Sequence, residues 1–323
     1  MTDDSPVGRV SAPSALGSNT RLNPGDLWDG AVALYVSARP KVTKPMSTTY
    51  AADKVETRYV TTGSATYAYR RMGPTGGVPL VMVLRFRGTI DYWDPALLDV
   101  LAAERDVIVF DNRGLGYSSG TPATSVEDLA DGVVDFLDGL GVGEADLLGW
   151  SLGGYVSQGV ALKRPKLVRR LVIAGSAPGG AVPNMPRMSA QTWQVATKPE
   201  NVDEDFLYLF FPADEAGRRA GLASLRRLDT RLAGAKSGVN PQALAAQIQA
   251  VATFGGYWHR IEELAQPILI ANGAHDVMID PWGSWAMSQK LPNTKLVIYG
   301  DAGHGFLFQH AEDFGREVLA FLR

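Results

Sequence analysis

The alternation of strand-like and helix-like segments from about Lys54 onwards restricts the fold of this chain more than any other feature. Short apolar runs alternate with longer runs whose apolar residues recur at helical spacing. This alternation is typical of a mostly parallel sheet with crossover helices. The predicted strands are Val55–Thr62, Ala65–Arg70, Pro79–Phe86, Asp106–Asp111, Ala145–Trp150, Val168–Ala174, Pro267–Ala271 and Lys295–Tyr299.

A long stretch without strand-like runs interrupts the alternation after the strand that ends at Ala174. We therefore expect an α/β core at residues 51–177 and 262–323, with an inserted helical cap at residues 178–261. We expect residues 1–50 to form an N-terminal extension with one short amphipathic helix, Asn23–Ser37. Within the core, helices are predicted at Val126–Leu140 and Glu312–Leu322.

The segment Gly149–Gly153 reads G-x-S-x-G at the junction of a buried strand and a helical pattern. A serine in such a turn projects its hydroxyl away from the backbone, and its neighbours must be small because a Cβ there would collide with the turn. The pattern alone is weak, since the chain contains 35 glycines. With its strand and helix context, it makes Ser151 the candidate nucleophile.

A serine hydroxyl needs an imidazole to accept its proton and an acid to orient that imidazole. His304 follows the last predicted strand, at the sheet edge where Ser151 also lies. The other three histidines are weaker candidates. His310 is expected to be structural on the following helix, His259 to lie on the surface or in the cap, and His275 to flank the acid.

The acid candidate is Asp276, which follows the strand Pro267–Ala271 at the same edge. Asp280 is the alternative, but its position before Pro281 fits a helix cap better. Asp111 follows an earlier strand, and we expect it to cap or brace a loop rather than to act in catalysis.

These motifs together resemble the α/β-hydrolase family, with a similar layout over Lys54–Arg323. The resemblance implies an eight-stranded, mostly parallel sheet flanked by helices, with a helical lid over the site. It implies that Ser151 is the nucleophile, His304 the general base and Asp276 the orienting acid. The matching segments are Phe110–Ser118, Gly149–Gly153, Gly273–Asp276 and Ala302–Gly305.

One loop departs from the family pattern. The loop after the third strand commonly reads His-Gly-x-Pro-Gly, and the spacing to Trp93 places residues 84–88 there, which begin with Leu-Arg. This alignment implies that the backbone N–H groups of Phe86 and Leu152 form the oxyanion hole, each contributing about 10²–10³ in rate.

The same loop contains two arginines, Arg85 and Arg87. A guanidinium near the site could bind a carboxylate or phenolate of the substrate. The alternative is that both arginines form ion pairs with acids of the loop such as Asp91 and Asp94.

The predicted lid is rich in aromatic residues, which could line an apolar pocket or pack between the lid helices and the sheet. We therefore expect a small-molecule substrate that is an apolar or aromatic ester or lactone. The candidate substrate contacts besides the two arginines are Trp150, Trp193, Phe211 and Tyr257.

Composition excludes several function classes. A net charge of -3 over 323 residues gives no basic field for nucleic acid or an anionic membrane surface, so neither partner is expected. The absence of cysteine excludes disulfides, thiolate metal sites and cysteine nucleophiles. No metal or organic cofactor is expected. The acidic N-terminal segment and the lack of long apolar runs predict a cytoplasmic protein.

The extension motivates a separate hypothesis, in which Leu27, Trp28 and Leu34 dock on a neighbouring subunit and make a homo-oligomer. Docking on the chain's own lid is the alternative.

The sequence therefore predicts a serine hydrolase that opens an ester or lactone through an acyl-enzyme. Epoxide hydrolases and haloalkane dehalogenases of this fold use an aspartate nucleophile, so Ser151 argues against both. A cofactor-free haloperoxidase, a carbon–carbon bond hydrolase, a hydroxynitrile lyase or an acyltransferase would use the same triad. The unusual Leu84 and Arg85 also permit a non-catalytic ligand-binding protein, which an intact triad disfavours.

Overall fold

An eight-stranded sheet forms the centre of the structure, a computed structural model that describes residues 49–235 and 238–323. The strand order is β1-β2-β4-β3-β5-β6-β7-β8, in which the β1–β2 and β2–β4 pairs are antiparallel and all other pairs are parallel. The prediction of an eight-stranded, mostly parallel sheet is confirmed. Strands β1–β8 are Arg58–Thr61, Thr66–Met72, Leu80–Val83, Val107–Phe110, Ala145–Trp150, Val168–Ala174, Ile268–Gly273 and Thr294–Tyr299.

Helices cover both faces of this sheet. Short 3-10 turns occur at Ala52–Lys54, Ile90–Tyr92 and Trp258–Glu263. Helices α1–α10 are Pro95–Ala102, Val126–Gly139, Leu152–Lys163, Ala190–Ala196, Asp203–Phe210, Glu215–Gly234, Pro241–Thr253, Pro281–Lys290, Phe306–Gln309 and Ala311–Leu322.

Strand β3 shows how the core is divided between the two faces. Leu80 and Met82 pack in one apolar cluster with α1 and α10, whereas Val81 and Val83 pack in a second cluster with α2 and α3. Successive side chains of a strand point to opposite faces, so a strand that is covered on both faces is apolar at every position. All four residues of β3 are buried.

The predicted strand Pro79–Phe86 is wrong at its end, since β3 stops at Val83. Beyond that point the chain turns out of the sheet. The N–H of Gly88 donates to the carbonyl of Arg85 (3.1 Å), and Arg87 adopts a left-handed backbone with φ 59°. The apolar run continues into this loop, so periodicity alone could not locate the strand end.

Helices α4–α7 are inserted between β6 and β7, where the cap is predicted. The predicted helix Asn23–Ser37 and its docking residues Leu27, Trp28 and Leu34 lie outside the described residues, so the oligomer hypothesis stays a prediction. Among the described helices, none combines the length and the apolar character required to cross a membrane.

Candidate active site

Ser151 occupies the sharp turn between β5 and α3. Its backbone has φ 59° and ψ −121°, a conformation that non-glycine residues rarely adopt and that costs free energy. Three hydrogen bonds hold the turn. The Ser151 N–H donates to the carbonyl of Ala174 (2.9 Å), and the Ser151 carbonyl accepts from the Gly154 N–H and the Ser176 hydroxyl, both at 2.8 Å. The strained turn is therefore fixed by its neighbours.

The glycines that flank Ser151 are required by close backbone contacts. A Cβ on Gly149 would lie 2.2 Å from the carbonyl oxygen of Gly153, and one on Gly153 would lie 2.0 Å from that of Val83. Val83 is also the register partner of Gly149, because β3 and β5 are neighbours. The loop after β3 and the turn at Ser151 therefore leave the sheet side by side.

His304 and Asp276 meet in the loops that follow β8 and β7. The distance between His304 Nδ1 and Asp276 Oδ2 is 2.7 Å, and both side chains are fully buried. The other oxygen, Asp276 Oδ1, accepts the backbone N–H groups of Met278 (2.8 Å) and Ile279 (2.9 Å). One carboxylate oxygen is thus held by the backbone and the other faces the imidazole, an arrangement that places the proton on Nδ1 and leaves Nε2 as the basic atom.

The Nε2 atom of His304 is buried and has no hydrogen-bond partner among the described residues. Two further contacts place His304 beside the strand that leads to Ser151 and beside the end of β6. Trp150 Nε1 donates to the His304 carbonyl (3.1 Å), and a Cβ on Gly175 would come within 3.2 Å of Nδ1. The structure thus brings the three predicted triad residues to the carboxyl edge of β5, β7 and β8.

The weaker candidates lie elsewhere. Asp280 caps α8, where it accepts the N–H of the second helical residue (2.8 Å). His310 pairs with Asp301 (2.9 Å), and His259 and His275 are exposed. Geometry therefore favours Asp276 over Asp280 as the orienting acid and favours His304 as the base.

Asp111 braces the loop after β3, as expected. Its two carboxylate oxygens accept the backbone N–H groups of Ile90 (2.7 Å) and Tyr117 (2.9 Å). Burial raises the pKa of Asp111 to about 7.

The loop formed by residues 84–88 is anchored to the inserted helices through Arg87. The Arg87 N–H donates to Gln247 Oε1 in α7 (2.9 Å). Its guanidinium donates to the carbonyls of Ala196 (3.3 Å), Lys198 (2.5 Å) and Pro199 (3.1 Å). Arg87 was a candidate substrate contact, but its donors are engaged by the backbone after α4. It is therefore placed to position the loop that contains Phe86.

The alternative of ion pairs between these arginines and the loop acids is wrong for Asp91 and Asp94. Asp91 pairs with Arg70 (2.6 Å), and Asp94 pairs with Arg227 (2.7 Å). Both acids therefore neutralise arginines outside the loop.

Arg85 is buried in an aromatic environment, with 8% of the residue exposed. Its guanidinium carbon lies 5.0 Å from the ring centroid of Tyr92, 5.5 Å from that of Trp150 and 5.0 Å from that of Phe210. Its Nη1 donates to the carbonyl of Phe86 (2.6 Å). Burial lowers the pKa of Arg85 to about 10, so the side chain remains a cation at neutral pH.

Two aromatic rings pack directly on the candidate base. The Phe210 ring stacks on His304 with centroids 5.5 Å apart, and the Trp150 ring lies 5.7 Å away. The Phe210 carbonyl also accepts the Gly305 N–H (2.7 Å). The end of α5 therefore covers the imidazole, and only 4% of Ser151 and 1% of His304 are exposed.

The remaining predicted contacts lie at different distances from the triad. Phe211 is buried, and its ring approaches Gly305 beside His304. Trp193 is half-buried on α4, and no described contact joins it to the triad. Tyr257 packs against α3, and its hydroxyl donates to Glu127 of α2 (3.5 Å); none of its described contacts is with the triad.

Gln247 is a site residue that the sequence-based predictions did not include. Phe210 is one of the lid aromatics that could line a pocket, but the sequence does not single it out from the others. Gln247 has a visible signal, because it is a polar residue on the face of α7 that buries Ala243, Ala246 and Ala250.

A narrow cleft lies between the loop after β3, α3 and α7. Its lining includes Arg85, Gly88, Leu152, Val156 and Gln247. It therefore contains one of the two predicted oxyanion positions. No cluster of histidine and carboxylate residues suited to a metal ion occurs in the described part of the chain.

Known proteins match most of this chain. A family model described as "alpha/beta hydrolase fold" matches residues 79–311, which is more than half of the sequence. The alpha/beta hydrolase fold protein from Chitinophaga pinensis superposes with a TM-score of 0.77 at 33% identity, over 84% of this chain and 98% of that structure.

The names of two curated relatives describe different activities. A 2-hydroxy-6-oxononadienedioate/2-hydroxy-6-oxononatrienedioate hydrolase from Burkholderia vietnamiensis is 31% identical over 67% of this chain and 76% of that protein. The dihydrolipoyllysine-residue acetyltransferase component of an acetoin cleaving system from Pseudomonas putida is 30% identical over 78% of this chain. The chain spans 65% of that second relative's length, just under two thirds.

Proposed function

The chain belongs to the α/β-hydrolase family, and we propose that it is a serine hydrolase that cleaves an apolar or aromatic ester or lactone through an acyl-enzyme. One observation supports this most strongly. The buried His304–Asp276 pair, whose Nε2 has no hydrogen-bond partner among residues 49–235 and 238–323, lies at the same sheet edge as the strained turn at Ser151. This combination suits a nucleophile, a base and an orienting acid.

In the proposed first half-reaction, Ser151 Oγ attacks the carbonyl carbon while His304 Nε2 takes the hydroxyl proton. The carbonyl electron pair moves to the oxygen, which the backbone N–H groups of Phe86 and Leu152 stabilise. When the tetrahedral intermediate collapses, the bond to the alkoxy oxygen breaks, and His304 Nε2 returns the proton to that oxygen. Asp276 stabilises the transient imidazolium through its 2.7 Å contact with Nδ1.

In the second half-reaction, water attacks the acyl-enzyme and loses its proton to His304 Nε2. The ester bond to Ser151 breaks, and the proton returns to Ser151 Oγ. The products are a carboxylic acid and an alcohol, or a single hydroxy acid when the substrate is a lactone.

The test is a hydrolysis panel of apolar esters, aromatic esters and lactones, with the wild type beside Ser151→Ala. We expect turnover that disappears in the alanine variant, with unchanged circular dichroism. If the wild type is inert towards every compound while one of them raises its melting temperature, a ligand-binding protein replaces this proposal.

A second candidate is the hydrolysis of a carbon–carbon bond in a 2-hydroxy-6-oxo acid, which the name of the Burkholderia vietnamiensis relative suggests. The same three side chains would serve it. Adding such an acid to the panel separates the two candidates, because a carbon–carbon hydrolase would turn it over far faster than any ester. An acyltransferase would instead require an acceptor alcohol or thiol for rapid turnover.

A further inference from the structure

Arg85 is a buried cation that pairs with no carboxylate in the described part of the chain. Among the described residues, the two least exposed arginines are Arg70 (5%) and Arg85 (8%). Arg70 pairs with Asp91 at 2.6 Å, whereas no described carboxylate forms an ion pair with Arg85. Its Nε is buried and has no hydrogen-bond partner among the described residues. Buried charges are normally paired, because desolvation of an isolated ion is unfavourable.

The contacts that Arg85 does make are weaker than an ion pair. Three aromatic rings lie 5.0–5.5 Å from its guanidinium carbon, and one carbonyl accepts from Nη1. Cation–π contacts of this kind hold a guanidinium in place without neutralising it. The guanidinium edge that contains Nε therefore keeps unused hydrogen-bonding capacity among the described residues.

Arg85 also lies beside the proposed catalytic groups. The rings of Trp150 and Phe210 contact its guanidinium, and the same two rings pack on His304 at 5.7 and 5.5 Å. Arg85 further lines the cleft that contains Leu152, the residue after Ser151. The guanidinium of Arg85 and the imidazole of His304 therefore share two aromatic neighbours.

Phe210 fills space that a substrate needs. Ser151 and His304 are almost completely covered, so a covering residue must move before a carbonyl reaches them. Phe210 belongs to α5 of the insertion and contacts both Arg85 and His304. A substrate group that displaces this ring gains access to the guanidinium and the imidazole together.

We propose that Arg85 binds a carboxylate of the substrate, so that the preferred ester or lactone carries a free carboxylate in its acyl part, several bonds from the scissile carbonyl. A planar guanidinium matches a carboxylate with two parallel hydrogen bonds. This proposal rests on the proposed ester or lactone hydrolysis. The experiment below therefore measures carboxylate binding separately from hydrolysis.

The test compares two substrates that differ only in this charge. One is the monoaryl ester of adipic acid, and the other is the same aryl ester with the distant carboxylate methylated, each corrected for spontaneous hydrolysis. The wild type should prefer the acid. Arg85→Met should lower kcat/KM for the acid by about 10- to 100-fold and change that for the neutral diester by less than about 3-fold.

Arg87→Met is the matched control, since its guanidinium is bound to carbonyls of the chain. It should lower both activities together and leave their ratio unchanged. The specificity proposal is overturned if Arg85→Met also lowers both activities equally, or if the wild type shows no preference for the acid.

Binding without turnover separates this proposal from the hydrolase assignment. In Ser151→Ala, calorimetry should show tighter binding of the acid than of the diester, and Arg85→Met should abolish that difference. If the wild type hydrolyses neither ester but Ser151→Ala still binds the acid more tightly than the diester, the hydrolase assignment fails and the carboxylate site stands. If Arg85→Met does not fold, inhibition of the wild type by adipate but not by the neutral, non-ester adipamide is the expected result. Equal inhibition by both compounds refutes the site.

Discussion

The carboxylate of Asp276 holds the imidazole of His304 at 2.7 Å with one oxygen, while its other oxygen is fixed by two backbone N–H groups. The pair is completely buried, so solvent cannot substitute for the carboxylate. The orientation and tautomer of the imidazole therefore depend on Asp276.

Replacement of Asp276 by asparagine should lower kcat by about 10⁴-fold, because the amide favours the wrong imidazole tautomer. Asp280→Asn is the matched control and should change kcat by less than about 3-fold, since asparagine caps a helix as well as aspartate does. Steady-state kinetics on one ester is the measurement. The reverse ranking would transfer the acid role to Asp280.

Loss of the Gln247 side-chain amide, which holds the loop after β3, should lower kcat more than it changes KM. Gln247→Leu leaves the Arg87 N–H without its acceptor, so the loop that contains Phe86 loses a fixed position. We expect a fall in kcat of roughly 10-fold with little change in KM. Gln249→Leu, an exposed change on the same helix, is the control. Equal kinetics for the two variants would show that the loop does not depend on this contact.

The close contact between the loop after β3 and the turn at Ser151 should make Gly153 intolerant of a side chain. A Cβ there would lie 2.0 Å from the Val83 carbonyl oxygen, so Gly153→Ala must displace backbone. The melting temperature should fall by about 2–10 °C. Gly143→Ala is the control, because a Cβ there meets no atom within 4 Å. Similar melting temperatures for both variants would mean that the contact is not tight.

Asp111 should make stability depend on pH. Burial raises the pKa of Asp111 to about 7, with the nearby charge of Asp91 adding to the effect, whereas an unfolded aspartate ionises near 4. Between these values the folded state binds more protons, so this stabilisation is present at low pH and is lost as pH rises to about 7. Urea unfolding at pH 5 and pH 8 measures it.

Relative to Asp111→Asn, the wild type should lose on the order of 2 kcal/mol in free energy of unfolding between pH 5 and pH 8. Ionisable groups elsewhere affect both proteins equally, so their difference isolates Asp111. Parallel pH profiles for the two proteins would contradict this expectation.

Most of the sheet could be predicted because its central strands are mostly apolar and end in recognisable turns. Val168–Ala174 and Ala145–Trp150 match the predicted bounds. The end of β3 could not be located, since the residues after Val83 remain partly apolar while the backbone turns away. Hydrophobicity reports burial, and both the strand and the loop are buried.

The triad candidates were predictable because each follows a strand at the same edge of a parallel sheet. The contacts of the two loop arginines were not. Arg87 bonds to carbonyls of a segment more than a hundred positions away in sequence, and Arg85 is surrounded by rings from three elements. Such long-range contacts leave no periodic signal in a single sequence.

The most direct test of the account is to trap the acyl group on the protein. The enzyme is mixed with an aryl ester, quenched with acid during the first turnovers, and mapped by peptide mass spectrometry. We predict one added acyl group on the peptide that contains Ser151, and none in Ser151→Ala. Hydrolysis by Ser151→Ala at the wild-type rate, or an acyl group on another residue, would contradict the assignment of Ser151 as the nucleophile.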